Sequence, residues 1–160
     1  MRNFETYVTN LKRKTSLINK DKILFICIGK SEILWDSIGP LVGSYLKDKL
    51  GSNKVLGDIN HNICTKWDLM YHYPKIKNKF VVAIDTALSA KEMDGEIFIS
   101  NSSTIMGSAF NRPNGVIGDI SIKAAISDFA NKDKQYIEDF ASFIGKGICV
   151  SWGSLSMGTP

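Results

Sequence analysis

Two aspartates occupy positions where an open α/β sheet usually carries its chemistry. Asp36 follows the apolar run 23–28 after a short loop, and Asp85 directly follows the apolar residues 80–84. Ligands in this class of fold bind outside the carboxyl ends of the parallel strands. Two carboxylates delivered to that edge by different strands therefore indicate a catalytic or binding site.

A pair of neighbouring carboxyl groups can support acid–base chemistry. Two like charges close together cannot both ionise easily, so one pKa rises and that group keeps its proton. The protonated carboxyl then acts as a general acid, and the ionised one is the base that activates water. With one neutral ligand the same pair would instead hold a divalent metal, and this alternative stays open.

Further candidate groups come from a histidine, a third aspartate and a loop. His61 follows the predicted strand 54–59 at the same edge, as a third ligand or an orienting donor. Asp119 is a further candidate acid. The loop 106–113 is predicted to wall the site and bind a peptide backbone or a carboxylate, using its amides and the residues Gly107, Ser108, Asn111 and Arg112.

The elements that must position these residues alternate between strands and helices. Strands are predicted at 23–28, 54–59, 80–85 and 96–100, and helices at 3–14 and from Pro40 to just before Gly51. Trp67 marks a further helix. After a long loop at 101–118, two helices are predicted, one with Ile122 and Phe129 and one that Gly145 and Gly147 end.

This order predicts a three-layer α/β/α fold with a mostly parallel sheet. If the first three strands are arranged 2-1-3, a crevice opens between strands 1 and 3, with Asp36 and Asp85 across it. The predicted organisation is a helical extension at 1–20, a single α/β domain at 21–148 and a flexible tail at 149–160.

Composition narrows the class of protein. The chain has 160 residues, which suits one domain, and its net charge of +4 is spread along the sequence, so nucleic-acid binding is not expected. Its three cysteines are odd in number and lack a Cys-x-x-Cys spacing, which favours a reducing compartment. We find neither a signal peptide nor an apolar run of membrane-spanning length, so a cytoplasmic location without a membrane partner is expected.

Several common catalytic templates are missing from the sequence. No Gly-x-Gly-x-x-Gly or Walker-type loop follows the first strand, and there is no Gly-x-Ser-x-Gly turn. Dinucleotide binding and serine hydrolysis are therefore disfavoured.

The motifs resemble the YyaC-like sporulation proteins of spore-forming bacteria. The resemblance spans residues 21–147 and is carried by four blocks, 28–29, 36–43, 83–85 and 116–122. It implies the phosphorylase/hydrolase-like fold that spore germination protease and the hydrogenase maturation endopeptidases share.

The resemblance also implies roles for residues. Germination protease is an atypical aspartic peptidase that degrades small acid-soluble spore proteins, and its two essential aspartates match Asp36 and Asp85. Its later Gly-Ser block matches Gly107 and Ser108. In the maturation endopeptidases, acids at comparable positions help to bind nickel together with a histidine, which here implies Asp36, Asp85 and His61.

The function expected on these grounds is aspartate-dependent cleavage of spore proteins by a sporulation-associated hydrolase in the forespore or spore interior. No cofactor is expected in this reading. Two alternatives remain open, a metal-dependent maturation peptidase and a non-catalytic spore protein on the same fold. Whether the protein forms a homo-oligomer also remains open.

Overall fold

The computed structural model describes residues 3–107 and 115–153. The helices in these ranges are α1 (Phe4–Thr15), α2 (Ile38–Leu50), α3 (Lys66–Tyr71), α4 (Tyr73–Ile76) and α5 (Lys134–Ser151). The strands are β1 (Ile23–Cys27), β2 (Val55–Leu56), β3 (Phe80–Leu88), β4 (Ile97–Ser100), β5 (Thr104–Ile105), β6 (Val116–Ile117) and β7 (Ile120–Ile126). None of the helices in these two ranges is both long and apolar enough to cross a membrane.

The main sheet has the strand order β2-β1-β3-β7-β4, and β5 and β6 form a separate antiparallel hairpin. Strands β2, β1, β3 and β7 are parallel, whereas β4 is antiparallel to β7 at one edge. The predicted fold class is therefore confirmed. Because β1 lies between β2 and β3, the chain reverses its direction of winding at β1, which opens the crevice at the carboxyl ends of β1 and β3.

Helices cover both faces of the sheet. One face packs against α1, α2 and α5, and the other against α3, α4 and the β5–β6 hairpin. Side chains alternate along β3, so Ile84 faces the first layer and Ala83 faces the second. Asp85 shares the face of Ala83, which places its carboxyl group on the side of the hairpin.

The N-terminal helix is part of the core. Tyr7 in α1 is fully buried, and its hydroxyl donates a hydrogen bond of 3.1 Å to the carbonyl oxygen of Ile144 in α5. The helix predicted at 3–14 is therefore present. Its apolar face packs against the α/β domain that follows it in the sequence.

Residues 120–126 form a strand, so the helix predicted around Ile122 and Phe129 is wrong. Strand β7 lies between β3 and β4 and is buried on both faces, with only Lys123 partly exposed. A central strand of this kind is almost continuously apolar, and periodicity alone does not distinguish it from a buried helix.

The last helix is longer than the sequence predicts, because α5 continues through Gly145 and Gly147 to Ser151. A Cβ atom at Gly147 would lie 2.1 Å from the Tyr7 ring, and one at Gly145 would lie 2.7 Å from the Tyr45 ring. These glycines therefore permit close packing of α5 on its neighbours. The tail predicted to start at 149 is helical up to Ser151, and residues 154–160 are outside the described ranges.

Replacing Gly147 with alanine is expected to lower the free energy of unfolding by about 2 kcal/mol, because the added methyl group collides with the Tyr7 ring. This net value already includes the gain of about 1 kcal/mol in helix propensity. Urea denaturation measures the change. Ser142→Ala, at an exposed position of the same helix, is the matched control and should leave stability unchanged or slightly raised. Equal stability of the two variants would contradict the packing role.

Candidate active site

The backbone around Asp36 is held against the end of β1 by two glycines. A Cβ atom at Gly29 would lie 2.1 Å from the carbonyl oxygen of Asp36, and one at Gly39 would lie 1.9 Å from the carbonyl oxygen of Ile28. Gly29 also has φ +142°, a backbone conformation that side chains disfavour. Only glycine allows the 3-10 turn Leu34–Asp36 and the start of α2 to pack this closely on the strand.

Asp36 is buried, with 5% of the residue's surface exposed. Its Oδ2 atom accepts a hydrogen bond of 2.8 Å from the backbone N–H of Lys30. Burial raises the pKa of Asp36 to about 6, against the lowering effects of the Lys30 amide and charge. The group is therefore mainly ionised at neutral pH but titrates far above an ordinary aspartate.

Asp85 is 7% exposed and lies on β3, one residue beyond the level at which β1 ends. Its Oδ1 accepts from the Thr86 N–H at 2.8 Å, and its Oδ2 accepts from the Thr104 hydroxyl at 3.2 Å. Burial and then the charge of Asp36 raise the pKa of Asp85 to about 7, although Lys123 lowers it. This carboxyl group therefore keeps its proton more readily than Asp36 does.

The structure brings Asp36 and Asp85 to one crevice. The strands that deliver them are direct neighbours, and the Ile28 N–H donates to the Ile84 carbonyl oxygen at 2.8 Å at the point where β1 ends. The charge of Asp36 is one of the causes that raise the pKa of Asp85, so the ionisation of Asp36 affects the protonation of Asp85. Between about pH 6 and about pH 7, Asp36 is mainly ionised and Asp85 is mainly protonated.

Sequence reasoning missed two residues that contact or face Asp85. Thr104 in β5 donates to its carboxylate, and Lys123 in β7 is its register partner on the neighbouring strand. Lys123 had a detectable signal, because it is the one charged residue of the apolar segment 120–126. Recognising that segment as a strand beside β3 would have placed this lysine next to the site.

His61 and Asp119 are located away from the aspartate pair. The His61 side chain is 81% exposed, and its Nδ1 lies 3.4 Å from Oδ1 of Asp58. Asp119 precedes β7, and its Oδ2 accepts from the Val81 N–H at 2.7 Å, near the amino end of β3. Asp119 therefore links β7 to β3 at the amino ends of these strands, whereas Asp85 lies towards their carboxyl ends.

The loop predicted to bind substrate is only partly described. Gly107 adopts a positive φ of +77° after the buried Met106, and the Met106 N–H donates to the Gly115 carbonyl oxygen at 2.9 Å. The two ends of the loop thus meet on the hairpin that carries Thr104. Ser108, Asn111 and Arg112 lie outside the described residues.

The metal alternative can be compared with the donor atoms in the crevice. Asp36, Asp85 and the Thr104 hydroxyl offer oxygen donors, which suit hard cations better than nickel. His61, the proposed nitrogen donor, faces Asp58 instead. Within residues 3–107 and 115–153, no group of three His, Cys, Asp or Glu side chains could hold a metal ion. The described residues therefore do not fit the set Asp36, Asp85 and His61.

Thr104→Val is expected to raise the pKa of Asp85 further, by about half a unit to one unit, because the carboxylate loses its hydroxyl donor. Carbon-13 NMR titration of the aspartate carboxyl groups measures the shift. Thr6→Val on the far helix α1 is the control and should leave the Asp85 titration unchanged. An unaltered titration in Thr104→Val would mean that this hydrogen bond is not made in solution.

The architecture is shared with two crystal structures, one of which is that of a maturation protease. The crystal structure of a [NiFe] hydrogenase maturation protease HycI from Thermococcus kodakarensis KOD1 is similar, with a TM-score of 0.53 and 18% identity over 87% of this chain and 98% of that chain. The crystal structure of an uncharacterized protein from Wolinella succinogenes has the same TM-score at 12% identity, over 82% and 97% of the two chains. At these identities the likeness shows a common fold.

The chain belongs to the family described as "Protein of unknown function (DUF1256)", whose model matches residues 1–141. It is 28% identical over 109 residues to the "Uncharacterized protein YyaC" of Bacillus subtilis (strain 168). That match covers 66% of this chain and 53% of the relative, so it extends over about half of the relative's length. The resemblance to YyaC-like proteins is therefore confirmed.

Proposed function

We propose that this protein is a peptidase-like hydrolase in which Asp36 and Asp85 share one proton and activate water against a peptide carbonyl. The observation that carries this proposal is the pair of buried, coupled carboxyl groups, whose pKa values are raised to about 6 and about 7. Groups perturbed in this way in a crevice are typical of acid–base sites. The raised pKa values mean that the hydrogen bonds to these carboxylates do not fully offset the cost of burying their charge.

The two aspartates take different roles in this mechanism. Asp36, which ionises first, accepts a proton from water while the water oxygen attacks the carbonyl carbon. Asp85 donates its proton to the carbonyl oxygen, giving a tetrahedral diol. Collapse of the diol breaks the C–N bond, the leaving nitrogen takes the proton held by Asp36, and the hydroxyl proton returns to Asp85. The pair thus ends with the single proton with which it began.

Two kinds of similarity support a peptide substrate. The fold is shared with a protein named as a hydrogenase maturation protease, and the aspartate blocks resemble those of germination protease. We further propose a role in sporulation, in the forespore or spore interior, with small acid-soluble spore proteins as substrates, because the motifs resemble those of the YyaC-like sporulation proteins. Gly107, Ser108, Asn111 and Arg112 are proposed to position the substrate chain, without a resident cofactor.

A digestion assay tests this function. The purified chain is incubated with small acid-soluble spore proteins, with and without a chelator, and the products are identified by mass spectrometry. Defined cleavage that persists with chelator is expected, while an identically purified Asp85→Asn chain provides the blank for contaminating proteases. Loss of cleavage on chelation would favour the metal-dependent alternative. Absence of cleavage across substrates and pH values would overturn the proposal and favour a binding protein.

The pH dependence of cleavage follows from the two carboxyl groups. The active pair carries one proton, so the rate should be highest between about pH 6 and about pH 7 and fall on both sides. Below this window Asp36 becomes protonated and the base is lost; above it Asp85 ionises and the acid is lost. Initial rates across this range measure the profile. A rate that keeps rising into the alkaline range would contradict the shared-proton mechanism.

A further inference from the structure

A patch of exposed aromatic and apolar side chains covers the outer surface of α3 and α4. Trp67 and Tyr71 are 64% and 83% exposed, and Met70 and Tyr73 are 62% and 58% exposed. We refer to these four residues as the aromatic patch. Single exposed apolar residues are normal on protein surfaces, but four exposed ones within the stretch 67–73 are a concentration of the kind that marks an interaction site.

The orientation of α3 explains why these residues remain outside. Leu69 packs inward against the buried cluster under the β5–β6 hairpin, and Ile76 of α4 does the same. The start of α3 is fixed by a capping box, in which the Thr65 hydroxyl accepts from the Asp68 N–H and the Asp68 carboxylate accepts from the Thr65 N–H. The helix is thereby anchored by one face while the aromatic patch points away from the core.

The surroundings of the aromatic patch are basic. Lys66, Lys75 and Lys77 are exposed, and the Lys66 ammonium lies 5.2 Å from the centroid of the Trp67 ring. Asp68 is the single acidic residue between 59 and 79 in the sequence, and its carboxylate is engaged by the Cys64 and Thr65 amides. An approaching anionic group therefore meets an attractive field together with apolar contact area.

The segment that leads into α3 lies beside the crevice. The Gly29 N–H at the end of β1 donates a hydrogen bond of 3.0 Å to the carbonyl oxygen of Ile63, three residues before α3. At the other side, a Cβ atom at Gly115 would lie 3.3 Å from the Cβ of Lys66, so the hairpin that carries Thr104 touches the first turn of α3. A polypeptide bound in the crevice can therefore extend across α3.

We propose that the aromatic patch is a docking surface for an acidic, apolar segment of the polypeptide substrate, beside the bond to be cleaved. The inference rests on the proposed peptidase function and adds the chemical class of segment that the enzyme recognises. Exposed Trp and Tyr rings supply anchors of the type that dominates binding energy, and the lysines select negative charge. A nucleic acid fits less well, because the net charge of +4 is spread along the sequence and does not form a basic stripe that could follow a phosphate backbone.

Binding is tested separately from cleavage by using the inactive Asp85→Asn chain. A displayed library of short random peptides is selected on this chain, and the enriched peptides are scored for Asp and Glu together with Leu, Phe and Tyr. The selection is repeated on chains that also carry Trp67→Ala with Tyr71→Ala, or Lys75→Glu with Lys77→Glu. We expect acidic, apolar peptides to be enriched on the first chain and to bind at least about tenfold more weakly to both variants.

A charge reversal on the opposite layer provides the matched control. Lys12 is exposed on α1, and Lys12→Glu should leave the affinity of the selected peptides unchanged.

The aromatic patch should also affect the kinetics of cleavage. In the chain with both aspartates intact, Trp67→Ala should raise KM for a protein substrate by about fivefold or more and leave kcat unchanged.

The outcomes distinguish this proposal from the peptidase function. The docking proposal would be overturned if neutral or basic peptides were enriched, or if the patch variants bound the selected peptides with unchanged affinity. It would also be overturned if single-stranded DNA bound more tightly than the acidic peptides. A change in sedimentation on Trp67→Ala would show instead that a second copy of the chain covers the patch. Selective binding of acidic peptides without any cleavage would leave the docking surface standing and overturn the peptidase function.

Discussion

Hydrolysis is expected to fall by about 10²- to 10⁴-fold when either Asp36 or Asp85 is replaced by asparagine, because each variant removes one partner of the shared proton. Asparagine at 36 cannot accept a proton from water, and asparagine at 85 cannot donate one to the carbonyl oxygen. Both substitutions preserve the size of the side chain, and circular dichroism should show an intact fold. The rates are measured with the spore-protein digestion assay at a pH between the two raised pKa values.

The double variant separates a cooperating pair from two independent groups. If the aspartates act as one unit, the double variant that carries Asp36→Asn and Asp85→Asn should hydrolyse the substrate no more slowly than the less active of the two single variants. Asp48→Asn, on the exposed side of α2, is the matched control and should retain full activity. Full activity in either single variant would remove that aspartate from the mechanism.

Asp85→Asn is expected to increase stability at about pH 8 by about 2 kcal/mol and to have a much smaller effect at about pH 4. Burial raises the pKa of Asp85 in the folded protein from 3.8 to about 7. Between these values the folded chain holds a proton that the unfolded chain has lost, so the free energy of unfolding falls as pH rises through this window. The full shift corresponds to about 4 kcal/mol, and losing the bonds from Thr86 and Thr104 offsets part of the gain.

An aspartate with the opposite shift supplies the control for this experiment. Burial raises the pKa of Asp94, but the hydrogen bonds from Lys132 and the Ser127 amide outweigh it and lower the pKa overall. Its contribution to stability is present above the unfolded pKa and is lost in acid. Asp94→Asn should therefore destabilise the protein at about pH 8, the reverse of Asp85→Asn. Urea denaturation at the two pH values measures both variants, and a destabilised Asp85→Asn at alkaline pH would contradict the buried, protonated carboxyl group.

A stabilised but inactive Asp85→Asn would have a direct interpretation. Catalytic groups are often held in environments that oppose their charge, and replacing them commonly raises stability while activity is lost. The combination of both results would identify the aspartate pair as a functional site, because a purely structural ion-binding or capping residue would lose stability on substitution.

The local sequence pattern was sufficient to predict those helices and strands whose secondary structure depends mainly on their own residues. The apolar residues 23–28 and 80–84 predicted β1 and β3, and Gly51 marked the end of α2. Asp85 directly follows one of these segments and Asp36 follows the other after a short loop, so their arrival at one end of the parallel strands followed from the winding of the sheet. Strand β7 and the end of α5 were predicted wrongly, since a central strand resembles a buried helix and Gly147 meets a ring far away in sequence.

Tertiary structure alone decided which other groups accompany the aspartates. Thr104 reaches Asp85 from a hairpin, and Lys123 reaches it through the register of β7 on β3. His61 lies two residues after the end of the predicted strand 54–59, yet it faces Asp58, and Asp119 links β7 to β3 at the amino ends of these strands. The amino-acid sequence determines which residues end each strand, whereas the distances between strands depend on sheet order, register and packing, which arise only when the whole chain has folded.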